Sequence, residues 1–190
     1  MINLFANVVG VYKNIKHPDI QESLIKRCLD IKENIIASEN GWLSKDIYTT
    51  HNKHNITSDL KFESLNQWVE DSIINYCDSL LYSNKIKVKD GWFNIYNKGD
   101  FQECHEHANS HLSCIYCLKG DEGSSRIFFK KRISMFPIPV KEYTETNCEY
   151  HWVPFVPGTL YVFESALTHY IEKHNLETAR YSLAYNFTLQ

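Results

Sequence analysis

Long apolar segments are missing from this sequence. No run of about 18 apolar residues occurs anywhere, and residues 1–10 carry neither positive charges nor an apolar stretch of signal-peptide length. We therefore expect a soluble protein that has no membrane span and stays in the cytoplasm.

A basic surface is missing as well. The 20 Lys and Arg residues are outnumbered by 23 Asp and Glu residues, which gives a net charge of −3 with both signs scattered along the chain. Proteins that bind nucleic acid usually neutralise phosphates with clustered Lys and Arg. We therefore do not expect nucleic acid to be a partner.

No internal repeat, low-complexity tract or linker divides the 190 residues, which suit one domain with a substantial core. The six cysteines of a cytoplasmic chain are expected to be free thiols. Cys114 and Cys117 have the spacing of a zinc knuckle, but residues three apart on a strand face opposite sides. We therefore predict that both are core residues.

Two helices are predicted in the N-terminal part. The first begins near Pro18, a residue tolerated in a first helical turn, and continues with apolar residues at helical spacing to Gly41. The second begins at a capping pair formed by Ser64 and Gln67, and its apolar face continues to Leu81. These helices can cover one face of a sheet.

Beyond residue 85 the apolar period changes from helical to two, which indicates strands. The predicted strands are 87–96, 112–118, 126–129, 159–163, 169–172 and 181–189. The count favours an α+β, mainly β fold with a jelly-roll or double-stranded β-helix core. We predict a single domain, in which residues 1–85 are mainly helical and residues 86–190 form the core that carries the site.

A long excursion separates two of these strands, over residues 119–158, and includes a proline-rich stretch from Phe136 to Pro139. Such loops on a rigid barrel often shape a substrate mouth. We expect the excursion to border a substrate pocket together with Trp92, Phe128 and Trp152.

Two histidines separated by one residue, His105 and His107, are candidate metal ligands. Residues two apart on a strand face the same side, so both imidazoles can reach one ion. His169, which begins a later strand, is the natural third ligand. Imidazole suits iron, copper, nickel and zinc, so the ligands alone do not select the metal. Three ligands that leave positions open are suited to oxygen chemistry.

The remaining histidines lack such a pattern. His111 lies past a turn and is expected to be close behind the ligands or at the surface. The other five are expected to face solvent: His17, His51, His54, His151 and His174.

Arg180 lies in an apolar strand, where burial of its charge is costly unless a carboxylate meets it. The planar guanidinium binds a carboxylate at two points, which suits a dicarboxylate co-substrate. An ion pair with Glu172, Glu177 or a surface carboxylate is the structural alternative.

Other polar residues share strand faces near these groups. Asn94 and Tyr96 lie on one face of the first predicted strand of the core, and Arg180, Ser182 and Asn186 lie on one face of the last.

Together the motif N-x-Y-x2-G-x5-H-x-H, the distal His169 and the R-x-S sequence eleven residues later resemble the Fe(II)/2-oxoglutarate-dependent oxygenases of the prolyl-hydroxylase-like superfamily. More closely, the stretches from Trp92 to Tyr116 and from Pro157 to Asn186 resemble the oxygenases of this type that are common in marine bacteriophages.

The resemblance implies that His105 and His169 bind iron. It also implies that Arg180, with Tyr96 and Ser182, holds the remote carboxylate of 2-oxoglutarate.

Asn94 would then lie near the metal-chelating end of the co-substrate, and Asn186 occupies a position that can be polar towards it. The chain departs from the family at His107, where other members place a carboxylate. Three neutral ligands leave the iron one charge more positive.

The implied activity is that of a non-haem dioxygenase that uses Fe(II), 2-oxoglutarate and O2 and releases succinate and CO2. Hydroxylation of a primary substrate is the expected outcome, with no catalytic residue apart from the metal ligands, in the host cytoplasm if a phage encodes the protein. Two alternatives remain at this point. One is a three-histidine cupin-type dioxygenase that does not use 2-oxoglutarate, and the other is a non-catalytic β-sandwich binding module with structural histidines.

Overall fold

The computed structural model of the chain describes residues 6–38, 43–44, 46–131, 138–144 and 146–190. The elements in chain order are β1 (Gly10–Lys13), α1 (His17–Asn34), β2 (Tyr48–Thr49), α2 (Glu63–Ser79), β3 (Ile86–Tyr96), β4 (Gln102–His105), β5 (Leu112–Lys119), β6 (Ile127–Lys130), β7 (Tyr150–Val153), β8 (Thr159–Glu164), β9 (His169–Ile171) and β10 (Arg180–Leu189).

The strands form two antiparallel sheets. The major sheet has the order β1-β8-β5-β10-β3-β2, and the minor sheet has the order β4-β9-β6-β7. The predicted strands of the core correspond to β3, β5, β6, β8, β9 and β10. The predicted α+β, mainly β fold with a double-stranded β-helix core is therefore confirmed.

Alternation along β5 divides the core into two parts. Cys114 and Tyr116 belong to the cluster between the major sheet and the helices, whereas Ile115 and Cys117 belong to the cluster between the two sheets. Both cysteines are buried free thiols on opposite faces of the strand, so the prediction that they are core residues is confirmed.

Sequence reasoning missed four strands of two to four residues, because such lengths hold too few alternations to show a period of two. All four lie at sheet edges: β1 pairs with β8, β2 with β3, and β7 with β6. The fourth, β4, pairs with β9 and ends at a predicted metal ligand. The N-terminal part therefore adds both edge strands of the major sheet as well as two helices.

The first helix carries Pro18 in its first turn, as predicted, but it ends at Asn34. Ile35 leaves the helix in an extended conformation, with φ −124° and ψ 121°. The predicted end at Gly41 lies outside the described residues. Neither helix in the described ranges is long and apolar enough to cross a bilayer.

The second helix begins differently from the prediction. Two short 3₁₀ turns, capped by the side chains of Asn55 and Asp59, lead directly into α2. Because α2 begins at Glu63, Ser64 already lies inside the helix. The prediction that Ser64 and Gln67 form a capping pair is therefore wrong.

A Schellman motif ends α2. The N–H of Tyr82 donates to the carbonyl oxygen of Cys77 at 2.9 Å, and the N–H of Leu81 donates to that of Asp78 at 3.3 Å. Leu81 has a φ of +58° and is 93% exposed, so its predicted place on the buried face is wrong. Glycine usually occupies this left-handed position, because a Cβ atom disfavours it.

Aromatic and cationic side chains cover the outer face of the minor sheet. The guanidinium of Arg126 lies 5.0 Å from the ring centroid of Phe128 and 4.6 Å from that of Trp152. Tyr170 stacks on Phe128 at 4.8 Å. Because Phe128 alternates with buried Ile127, it points away from the space between the sheets. The expectation that Phe128 and Trp152 border a substrate pocket is therefore wrong.

Leu81→Gly is expected to raise the free energy of unfolding by about 0.5 kcal/mol or more, because glycine adopts positive φ without the steric cost that leucine carries. Urea denaturation measures this change. As a matched control, Leu80→Gly alters the neighbouring residue, whose φ of −105° suits any residue, and should destabilise the protein. Equal destabilisation by both substitutions would contradict the role assigned to Leu81.

Candidate metal centre

The structure brings the three predicted metal-binding histidines together. His105 ends β4, His107 follows two residues later, and His169 begins β9, where it pairs directly with His105. One ring nitrogen from each histidine lies within 4.8 Å of the other two. His169 is 1% exposed, and the other two are partly buried. That geometry fits three ligands around one ion.

Hydrogen bonds to carbonyl oxygens fix which nitrogen of each ring carries the hydrogen. The Nδ1 atoms of His105 and His169 each lie 2.9 Å from the backbone carbonyl oxygen two residues earlier. The Nδ1 atom of His107 lies 2.6 Å from Oδ1 of Asn186. Because a carbonyl oxygen only accepts, each Nδ1 carries the hydrogen, and each Nε2 keeps its lone pair. The lone pair of His105 accepts a long hydrogen bond from Nε2 of Gln102, at 3.4 Å, which a metal would have to displace.

The electrostatic environment keeps all three rings neutral. Burial lowers the pKa of His105, lowers the pKa of His107 to about 4, and lowers the pKa of His169 well below its ordinary value. Only neutral imidazole can donate a lone pair, so burial holds the rings in the form that binds a metal.

Arg180 is fully buried. Its guanidinium carbon lies 4.7 Å from the ring centroid of Tyr96 and 4.0 Å from that of Phe155. Within the described residues, no acceptor forms a hydrogen bond with Nε, Nη1 or Nη2. Burial lowers the pKa of Arg180, and the nearby phenol of Tyr96 opposes this change.

The carboxylates that might have neutralised Arg180 pair with other residues. Glu172 forms a two-point ion pair with Arg126, at 2.7 and 2.8 Å. Glu177 pairs with Lys98. The alternative in which Arg180 forms an ion pair with Glu172 or Glu177 is therefore not supported.

The register of β3 and β10 aligns the four residues predicted to bind the co-substrate. Arg180 lies opposite Tyr96, and Ser182 lies opposite Asn94. All four side chains are buried, and Oδ1 of Asn94 has no hydrogen-bond partner within the described part of the chain.

A narrow cavity connects these residues to the histidines. Its lining includes Asn94, Tyr96 and Ser182 together with the three imidazoles. Arg180 is not part of the wall and lies behind the ring of Tyr96.

Two polar residues of the site were missed or misassigned. Gln102 accepts a hydrogen bond from the hydroxyl of Tyr96 at 2.9 Å. Strict alternation would place Gln102 and His105 on opposite faces, but an irregularity in the pairing between them brings both inside. Asn186 was expected to face the co-substrate and instead bonds to His107 and Asp90.

The histidines expected to face solvent differ among themselves. His151 is exposed as predicted, and His54 is partly buried beside an aspartate. His17 and His174 are buried, with ring nitrogens bonded to a tyrosine hydroxyl and to the backbone, respectively. His51 lines a cavity. These assignments were wrong for His17 and His174, because contacts with distant segments of the chain leave no periodic pattern in the sequence.

A larger, open cavity of about 1020 Å³ lies outside the histidine cluster. Trp92 forms part of its wall and stacks on His107, with ring centroids 5.7 Å apart. The other lining residues come from segments 36–38, 51–53, 89–90, 102–108 and position 186. No described residue of 119–158 lines this cavity, so the described part of the excursion does not border it as expected.

Comparisons with known proteins agree with this chemistry. The family model described as "Putative 2OG-Fe(II) oxygenase" matches residues 90–186, which is just over half of the chain. The matched segment contains every residue assigned above to the metal and co-substrate sites. A sequence search of curated proteins gave no significant match.

Several solved structures share the fold. A prolyl-4-hydroxylase from Pseudomonas putida has a TM-score of 0.67 at 15% identity, covering 97% of this chain and 94% of its own. A Trichoplax adhaerens prolyl hydroxylase, in complex with a hypoxia inducible factor peptide fragment, has a TM-score of 0.66 at 14% identity, covering 95% and 83%. The epimerase SnoN, in complex with Fe³⁺, alpha ketoglutarate and nogalamycin RO, has a TM-score of 0.66 at 11% identity, covering 96% and 79%. At these identities the similarity concerns the fold.

His169→Ala is expected to abolish stoichiometric metal retention, because it removes the most buried of the three neutral ligands. Metal analysis after dialysis against Fe(II) or Zn(II) measures the effect. His111→Ala provides the control, since His111 is exposed and its Nδ1 accepts a backbone hydrogen bond from Leu189. Retention of one ion per chain by His169→Ala would remove this residue from the site.

Proposed function

Because this chain belongs to the 2OG-Fe(II) oxygenase family, an oxidoreductase family whose cofactors are Fe(II) and 2-oxoglutarate, we propose that it hydroxylates a substrate and releases succinate and CO2. The observation that carries the proposal is the buried guanidinium of Arg180, which has no hydrogen-bond acceptor among the described residues. A co-substrate with a carboxylate at one end and a metal-chelating group at the other would satisfy both this charge and the histidine cluster.

The iron would be held by His105, His107 and His169. Support comes from their ring nitrogens, which lie within 4.8 Å of one another, and from the hydrogen bonds that place the hydrogen of each ring on Nδ1 and the lone pair on Nε2. The long contact of Gln102 with Nε2 of His105 would be exchanged for the metal. Three ligands leave open positions on the metal for 2-oxoglutarate and O2. When bound, the iron and 2-oxoglutarate supply the oxidising chemistry, in which one oxygen atom of O2 enters the substrate and the other enters succinate.

The protein residues would bind and orient the co-substrate. Arg180 would form a two-point contact with the remote carboxylate, and Ser182 and the hydroxyl of Tyr96 would donate to it. Because Arg180 lies behind the ring of Tyr96 and does not line the inner cavity, this contact requires the Tyr96 ring to move aside on binding. Since the Tyr96 hydroxyl donates to Gln102 in the present structure, that hydrogen bond would have to be exchanged on binding. Asn94, whose Oδ1 is buried without a partner, would lie near the chelating end.

The primary substrate would enter through the open cavity beside Trp92, which also contacts the ring of His107. The wall of the inner cavity includes Ile115 and Ile171, and these side chains would keep water away from the co-substrate. The proposed reaction requires no additional protein acid or base, so we assign no catalytic residue apart from the metal ligands.

Family membership disfavours one of the alternatives raised by the sequence, and the burial of Arg180 disfavours the other. A non-catalytic binding module does not agree with an oxidoreductase family. A three-histidine dioxygenase without 2-oxoglutarate leaves the buried charge of Arg180 without a function.

We further propose that residues 1–190 form one oxygenase domain, of the type common in marine bacteriophages, that acts in the cytoplasm of an infected host. The resemblance of the segments around His105 and Arg180 supports this origin. Detection of the chain in the soluble fraction of phage-infected cells, and not in uninfected cells, would test it.

Arg180→Met is expected to weaken 2-oxoglutarate binding by about 2 kcal/mol or more, roughly 30-fold, because a charge-assisted pair shielded from water is lost. Metal content should not change. The free energy of unfolding of the metal-free protein should stay equal or rise, since an unpaired buried charge is replaced by an apolar side chain of similar length. Calorimetric titration and urea denaturation measure the two effects.

The matched control for this substitution is Arg126→Met. Arg126 is paired with Glu172 on the outer face of the minor sheet and should not influence the co-substrate. If Arg180→Met bound 2-oxoglutarate like the unmodified protein, Arg180 would not hold the carboxylate.

Anaerobic addition of Fe(II) and then 2-oxoglutarate is expected to produce a visible metal-to-ligand charge-transfer band, because the co-substrate would chelate the iron directly. The His169→Ala variant should not produce the band. A protein that retains iron but shows no band with 2-oxoglutarate would support the three-histidine dioxygenase that does not use this co-substrate.

A further inference from the structure

His107 is the first member of a hydrogen-bonded chain that ends at a carboxylate. Its Nδ1–H donates to Oδ1 of Asn186 at 2.6 Å, and Nδ2 of Asn186 donates to Oδ1 of Asp90 at 2.8 Å. Asn186 on β10 lies directly opposite Asp90 on β3 in the sheet register. The link between Asn186 and Asp90 therefore lies between two paired strands.

The surroundings allow one orientation of the Asn186 amide. The hydroxyl of Ser113 also donates to Oδ1 of Asn186, at 2.8 Å, and lies 2.8 Å from the hydroxyl of Ser165. The backbone carbonyl of Ser165 accepts from the N–H of His107 at 2.9 Å. A carboxylate on one side and an imidazole N–H on the other fix which amide atom is oxygen.

This arrangement has an electrostatic consequence. A carboxylate that accepts a hydrogen bond from an amide N–H increases the negative character of the amide oxygen. That oxygen then accepts more strongly from His107, and the Nε2 atom on the far side of the ring becomes a better electron donor. Many metal sites place a carboxylate directly behind a histidine ligand. Here one amide separates the two groups.

We propose that Asn186 and Asp90 are positioning residues that orient His107 for metal binding and pass to it part of the negative charge of Asp90. His107 occupies a position where the family pattern has a carboxylate ligand. Asn186 and Asp90 would therefore supply negative charge near the metal without binding the metal themselves. This inference rests on the proposed function, since it assumes that His107 is a ligand.

The test compares three variants by their affinity for Co(II), measured by competition with a chelator, and by the visible bands of the bound Co(II). Asp90→Asn keeps an acceptor oxygen but removes the charge, and it should weaken binding about tenfold and shift the bands. Asn186→Leu removes the chain at its centre and should weaken binding by about tenfold to a hundredfold.

The exchange variant Asp90→Asn with Asn186→Asp preserves charge and hydrogen-bonding capacity while moving the carboxylate next to His107. It should bind Co(II) at least as tightly as the unmodified protein. If Asp90 had only a structural role, the exchange variant would not regain Co(II) affinity, because neither original side chain remains.

Glu106→Gln is the matched control. Glu106 lies beside the same histidines and lines the same cavity, but its carboxylate bonds to Thr168 and to no imidazole. Loss of the Glu106 charge should change the Co(II) affinity less than threefold, because solvent and salt screen an exposed charge.

Two results would overturn the proposal: Asp90→Asn with the affinity and bands of the unmodified protein, or Glu106→Gln with a loss as large as that of Asp90→Asn. If the unmodified protein itself bound no metal, the proposed function would fail instead. The two failures are therefore distinguishable.

Discussion

The antiparallel pairing of β3 with β10 is the constraint on which the site depends. Its register places Tyr96 opposite Arg180, Asn94 opposite Ser182, and Asp90 opposite Asn186. Because side chains alternate along each strand, all of these groups face the space between the two sheets. A shift of this register by one residue would turn every one of them towards the helices. Burial of one face of these strands fixes their register, and the same register fixes the positions of the site residues.

Burial of the Arg180 charge is the feature of this arrangement that costs the most free energy. Removing a guanidinium from water costs several kcal/mol, and the contacts with the rings of Tyr96 and Phe155 offset part of this, on the order of 2 kcal/mol each. The rest of the fold must offset the difference. A protein keeps such a group when a ligand of opposite charge repays the cost on binding, as a 2-oxoglutarate carboxylate would.

Much of this site was predictable because periodicity is local. Alternation alone placed His105 with His107 and Arg180 with Ser182, since each pair lies within one short stretch of extended chain. Features that depend on distant segments were not predictable. Gln102 enters the site through an irregular strand pairing, Asn186 finds its partners across two other strands, and His174 is buried by loops. The start of α2 was missed for a related reason, because its preceding turns are capped by residues outside the helical pattern.

The charges in the proposed complex balance as a group. The two positive charges of Fe(II) meet the two negative charges of 2-oxoglutarate, while the three imidazoles contribute none. Arg180 then adds one positive charge, and a family member with a carboxylate ligand would cancel it within the coordination sphere. In this chain Asp90 can cancel it from behind Asn186. Asp90 is half-buried and lines the open cavity, so solvent screens part of its direct interaction with a metal. Its contribution to that balance would pass mainly through the hydrogen bonds of Asn186. If His107 is a ligand as proposed, the negative charge that a carboxylate ligand would supply is present outside the coordination sphere, on Asp90.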